Sequence, residues 1–148
     1  REINFMIMDI QNTYSDAQAL TAAAASTNLI DHGAIRSMGT GENIYIALTV
    51  DVALTDTGSN STVTVDLQTD DNSSFSSNAT SQTLFTIAAT AAAGTKYIAR
   101  VAPGAMNERY SRLYYTMNNG DLSTGTVTAE IVHDVDAYSS YAKGYTVS

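Results

Sequence analysis

The sequence predicts an all-β protein, a jelly-roll-like antiparallel β-sandwich of about eight short strands. Two alternating runs are the first reason. Residues 44–54 place Ile44, Ile46, Leu48, Val50 and Val52 on every second position, and residues 62–68 do the same with Val63, Val65 and Leu67. A period of two lays one apolar row on one face of a strand. Composition is the second reason. Charged residues are 15% of the chain, against roughly 25% in an average domain, and Thr, Ser, Asn, Ala and Val take their place. The third is the spacing of turn residues, above all Asp56-Thr57-Gly58-Ser59-Asn60 and Asn119-Gly120.

At 148 residues, a single domain is expected, with an N-terminal arm at about 1–13 and a C-terminal tail at about 134–148. Within the arm, Ile3, Phe5, Met6, Ile7 and Met8 are sizeable and apolar without alternation, so no single face hides them. The tail holds Tyr138, Tyr141 and Tyr145 in a similarly unpatterned segment. Exposed apolar clusters mark partner surfaces, so these eight residues are candidate interface positions.

Residues 16–25 are rich in Ala, the best helix former. They are too small to present a wide apolar face, and extended chain with one turn of helix is expected. Residues 28–31 predict a short strand. The runs 44–54 and 62–68, joined by the 56–60 turn, predict an antiparallel hairpin with one buried face. Residues 70–81 are polar, and Phe75, their one large apolar residue, is expected to pin the loop to the core. Strands follow at 82–88, around Leu84, Phe85 and Ile87, and at 96–102, stopped by Pro103-Gly104. A second hairpin is expected from 109–117 and 127–133, closed by Asn119-Gly120, which accepts positive φ at both positions. Leu113, Tyr115 and Met117 then share one inward face, and Val127, Ala129 and Ile131 another. Arg112, Thr126, Thr128 and Glu130 look outward.

The chemistry the chain can host is narrow. It has no cysteine, which excludes disulfides and thiolate metal sites. Asp70-x-Asn72-x-Ser74 opens like a calcium loop, but Phe75 stands where Gly is required and Ser81 where Glu is required. No metal and no cofactor is expected. His32 and His133 are the only histidines, and no Gly-x-Ser-x-Gly elbow accompanies them. No catalytic residue is assigned, and the chain reads as a non-enzyme. The net charge is −8 and the seven basic residues are scattered, so neither nucleic acid nor an anionic membrane is an expected partner. No apolar run approaches a membrane span, and the start lacks the pattern of a signal peptide.

Three stretches resemble the capsid cement, or decoration, proteins of short-tailed bacteriophages, a small jelly-roll family. They are Ser15-Asp16-Ala17-Gln18-Ala19-Leu20-Thr21 through Ala25-Ser26-Thr27-Asn28-Leu29-Ile30-Asp31, then Leu67-Gln68-Thr69-Asp70-Asp71-Asn72-Ser73-Ser74-Phe75-Ser76-Ser77. The third is Tyr114-Tyr115-Thr116-Met117-Asn118-Asn119-Gly120-Asp121-Leu122-Ser123-Thr124-Gly125. Their order and spacing match, and the resemblance covers most of residues 14–135. It implies a virion structural protein, made in the host bacterial cytoplasm and placed on the capsid exterior. Such proteins clamp neighbouring major capsid subunits against internal DNA pressure, here as a homo-oligomer, dimer or trimer. The arm and tail would then dock on a neighbouring subunit or on the capsid lattice. The reading from another class is an extracellular carbohydrate-binding or adhesive β-sandwich module, though the absence of Trp counts against sugar stacking.

Overall fold

Alternating apolar rows need a second apolar layer, and the chain supplies one by folding into two antiparallel sheets. A computed structural model gives the fold and describes residues 9–35, 41–77 and 79–133. The eight interface candidates of the arm and tail lie outside the described residues.

A short 3-10 turn, Ile10–Asn12, is capped by the Asp9 carboxylate, which accepts from the Gln11 amide at 3.0 Å. Nine strands follow: β1 Thr13–Ala19, β2 Ala24–Ala25, β3 Ile30–Asp31, β4 Tyr45–Thr55, β5 Thr62–Asp70, β6 Thr80–Ala88, β7 Lys96–Arg100, β8 Tyr110–Asn118 and β9 Thr124–Val132. The first sheet has the order β1-β9-β4-β7. The second has β2-β8-β5-β6, with β3 also paired to β8. Because β2 and β3 share one partner, they act as a single interrupted strand. The chain then changes sheet at every other connection except β5 to β6, which is jelly-roll winding. Residues 16–19 and 24–25 are strand with a bend between them, extended as expected but without the turn of helix.

Both expected hairpins are corrected. β4 and β5 do not pair, and neither do β8 and β9: each couple is split between the two sheets. Their apolar rows meet across the core instead of side by side. Ile46, Leu48, Val50, Val127 and Ala129 from one sheet face Val63, Val65, Leu67, Leu113 and Tyr115 from the other. A connection of a few residues readily spans the ~10 Å between packed sheets. The paired hairpin is β5–β6, which the polar loop at 71–79 closes.

The two crossings lie together at one end. The Asp56 carboxylate holds its loop by accepting from Ser61 Oγ at 2.9 Å and from the Asn60 and Ser61 amides. Asn119 donates to the Asn60 carbonyl at 3.3 Å. Asn119 and Gly120 do take positive φ, +64° and +113°, but they steer the chain over the core edge and bury Leu122. At Gly120 an added Cβ meets only Ser61 Oγ, at 3.7 Å. Gly120→Val is therefore expected to lose about 1–3 kcal/mol through backbone strain alone. An unchanged urea midpoint would refute that account of the turn.

Two inward or outward assignments also change, and a third residue is outward yet buried. Val52 is 51% exposed, because β4 slips against β9 on both sides of it. Leu54 then returns to the core. Glu130 sits on the outer face of the first sheet yet is only 4% exposed. It lies on a central strand between Thr13 of β1 and Ala47 of β4. Phe75 does not reach the core at all; its ring lies on the outer face of the second sheet.

Candidate functional site

A buried polar cluster joins the two sheets. Tyr14 and Ser15 of β1 are adjacent and both buried, because β1 is irregular against β9 around them. The Tyr14 hydroxyl crosses to Ser111 Oγ of β8 at 2.7 Å. In the opposite direction, the Tyr115 hydroxyl of β8 crosses to Ser15 Oγ, also at 2.7 Å. Burial pushes both phenols far above the ordinary tyrosine range, so they stay neutral. His32 Nε2 lies 2.9 Å from Ser111 Oγ. Sequence spacing did not single out this serine–histidine contact. Ser111 is fully buried and its hydroxyl is shared with Tyr14. His133 lies elsewhere, exposed and 3.8 Å from Glu42.

Beside the cluster, Asp31 forms a two-pronged pair with Arg109, both contacts at 2.9 Å. This pair ties β3 to the start of β8. The guanidinium beside Asp31, with the Gly33 amide, holds its carboxyl at about 2.

The calcium-like loop uses its own oxygens. Asp70 accepts from Ser77 Oγ at 2.7 Å and from the amides of Asn72 and Ser77. Asn72 Oδ1 in turn accepts from the Ser74 amide and hydroxyl, both at 2.9 Å. The Ser77 hydroxyl is the main reason that Asp70 titrates at about 2. Both Asp31 and Asp70 are thus depressed below the ordinary 3.8. Groups of that sign stabilise the fold above their unfolded pKa and lose that contribution as pH falls through the folded value. The melting temperature is expected to be level above about pH 5 and to fall between about pH 4 and 2. In Asp70→Asn that acid-side fall should be shallower, from a lower starting point. An identical pH profile would show that this carboxylate is not a stabilising group.

The outer face of the second sheet is polar and half-buried along its central strands. Register places Thr86, Thr64 and Thr116 in one cross-strand row, with Asp66 beside Tyr114 and Gln68 beside Arg112 in the next rows. Asn118 donates to Thr64 Oγ1 at 3.0 Å, and Thr83 donates to Asp66 at 2.6 Å. Over this face the loop lays Phe75, whose ring centroid is 4.1 Å from the Arg112 guanidinium carbon. Sequence reading sent Phe75 inward because a lone apolar residue in a polar loop has one local interpretation. Its partner lies 37 positions away and carries no local mark.

A second surface feature is an open depression of about 630 Å³ between the 3-10 turn and β3. Ile10, 80% exposed, and Leu29, 43% exposed, lie on its wall. Among the described residues, no group of three or more His, Cys, Asp or Glu could hold a metal ion. No helix there is long and apolar enough to cross a membrane.

In comparisons with known proteins, no curated protein matches the chain. The family model Bbp16 matches residues 14–131, from Tyr14 at the start of the first sheet to Ile131 near the end of β9. That match takes in both sheets, the inter-sheet cluster and the Arg112 face, and the chain belongs to the Bbp16 family.

Proposed function

We propose that this chain is a virion structural protein, a cement or decoration protein. It binds the outer capsid surface and clamps neighbouring major capsid subunits to stabilise the head. The observation that carries the reading is the way the three resembling stretches assemble. They are far apart in sequence, yet β8 gathers them. Ala24 and Ala25 of the first pair with Tyr115 and Tyr114 of the third, and Leu67, where the second begins, pairs with Leu113, the residue just before the third. Parts of the three stretches therefore lie side by side in the second sheet, which supports reading them together. The family match over residues 14–131 covers the same part of the chain.

In this reading the protein performs no catalysis and needs no cofactor. It works as a homo-oligomer, dimer or trimer, on the capsid exterior after synthesis in the host bacterial cytoplasm. Its acidic surface turns away nucleic acid and anionic membranes. The test is to mix the purified protein with heads assembled from the major capsid protein of the same virus, and to image them by electron cryomicroscopy. An external layer at defined lattice positions is expected. Bare heads at saturating protein, with binding to a glycan panel instead, would favour the carbohydrate-binding module.

A further inference from the structure

We propose that Arg112, clamped by Phe75 and Tyr114, is the anchor through which the outer face of the second sheet takes a carboxylate of the capsid surface. The inference rests on the decoration reading and adds to it a place and a chemistry.

Arg112 is held on three sides before any partner arrives. Its Nε donates to Gln68 Oε1 at 2.8 Å. Its guanidinium carbon lies 4.1 Å from the Phe75 ring centroid and 5.7 Å from that of Tyr114. Fixing this side chain removes rotamer freedom that binding would otherwise have to remove. Its Nη groups have no hydrogen-bond acceptor among the described residues.

Three acids in this part of the fold have other partners. Asp66 accepts from Thr83, Asp70 is turned into its own loop, and Asp31 is paired with Arg109. The two ion pairs among the described residues do not include Arg112. In a chain of net charge −8, a fixed guanidinium without a carboxylate is the one group on this face that calls for an anion. A single cation set among threonines suits one carboxylate, because the acidic remainder of the molecule repels a run of phosphates.

The loop spends backbone strain to make this clamp. Phe75 sits at φ +53°, a region that bulky L-residues avoid, and such strain concentrates at functional positions. The Asp70 and Asn72 side chains hold the loop in that shape. The register positions around Arg112 on β5, β6 and β8 carry Thr, Tyr, Gln and Asp but neither Lys nor Glu. Arg and aromatic enrichment with Lys and Glu depletion is the composition of interface cores.

Wild type, R112Q, R112K and R109Q are compared for binding to the same assembled heads by co-sedimentation, with melting temperatures recorded. R112Q is expected to weaken binding about 30-fold or more, the usual scale for truncating one partner of a desolvated charge pair. R112K keeps the stem and the charge and so guards against a folding defect. It should recover binding only in part, because an ammonium lacks the two-pronged fork. R109Q, whose guanidinium is already paired, should stay within about twofold. Wild-type binding by both Arg112 variants overturns this inference and leaves the decoration reading standing. Heads left bare by wild type overturn both. A change in oligomeric state by ultracentrifugation, with binding per protomer unchanged, would assign the face to a second copy of this chain and refute a capsid carboxylate.

Discussion

Gly125→Ala is expected to destabilise the fold by about 2–5 kcal/mol, a large part of the 5–15 kcal/mol that holds a typical domain together. Gly125 begins the part of β9 that runs against the irregular end of β4. It has φ +142°, and its carbonyl accepts from the Leu20 amide at 3.0 Å. A Cβ built there overlaps Leu54 Cδ2 and comes within 3.1 Å of Leu54 Cα. Leu54 is buried and cannot swing away without vacating the core. Overpacking contributes about 1–3 kcal/mol, and the backbone conformation a similar amount. Gly104→Ala is the control. It has φ +81° with nothing within 4 Å of an added Cβ, so it reports strain without the clash. Urea midpoints for the two variants should differ clearly. Equal losses would mean that Leu54 yields and the close approach is unimportant.

Ser111→Ala should cost about 2–4 kcal/mol, although it removes a single oxygen. Ser111 Oγ serves the Tyr14 hydroxyl at 2.7 Å and His32 Nε2 at 2.9 Å, at a site closed to water. Deleting it takes a partner from two buried polar groups at once, and each such loss costs about 1–3 kcal/mol. Tyr14→Phe removes only one side of the contact and leaves Ser111 its histidine. It should cost about 1–2 kcal/mol, and the double variant should cost less than the sum of the two. Strict additivity in urea unfolding would show that these groups do not act as a unit.

Much of the interior was legible along the chain. The inward rows of β4, β5, β8 and β9 follow from alternation, because side chains at i and i+2 share a face whatever the strand pairs with. Ile46, Leu48, Val50, Val63, Val65, Leu67, Leu113, Tyr115, Val127 and Ala129 all lie in the core. The same local pattern misplaced Val52, since a slip in register against β9 is a property of two strands and leaves no mark in one. Of the surface, the polar loop after β5 was evident, but the destination of Phe75 was not.

The sequence by itself determined that the protein is an all-β sandwich, where the strands from β3 onward lie, which face of β4, β5, β8 and β9 is apolar, and that its chemistry is poor in cysteine, histidine and clustered charge. Tertiary structure alone decided which strands pair, that both expected hairpins instead cross the core, and that Tyr14, His32 and Ser111 meet. It also decided that Phe75 covers Arg112. The reason is the range of the forces. Alternation and turn chemistry act over a few residues. Whether an apolar face is buried beside its neighbour in sequence or opposite it depends on closing both sheets at once, through contacts such as Tyr14 to Ser111 that span 97 positions.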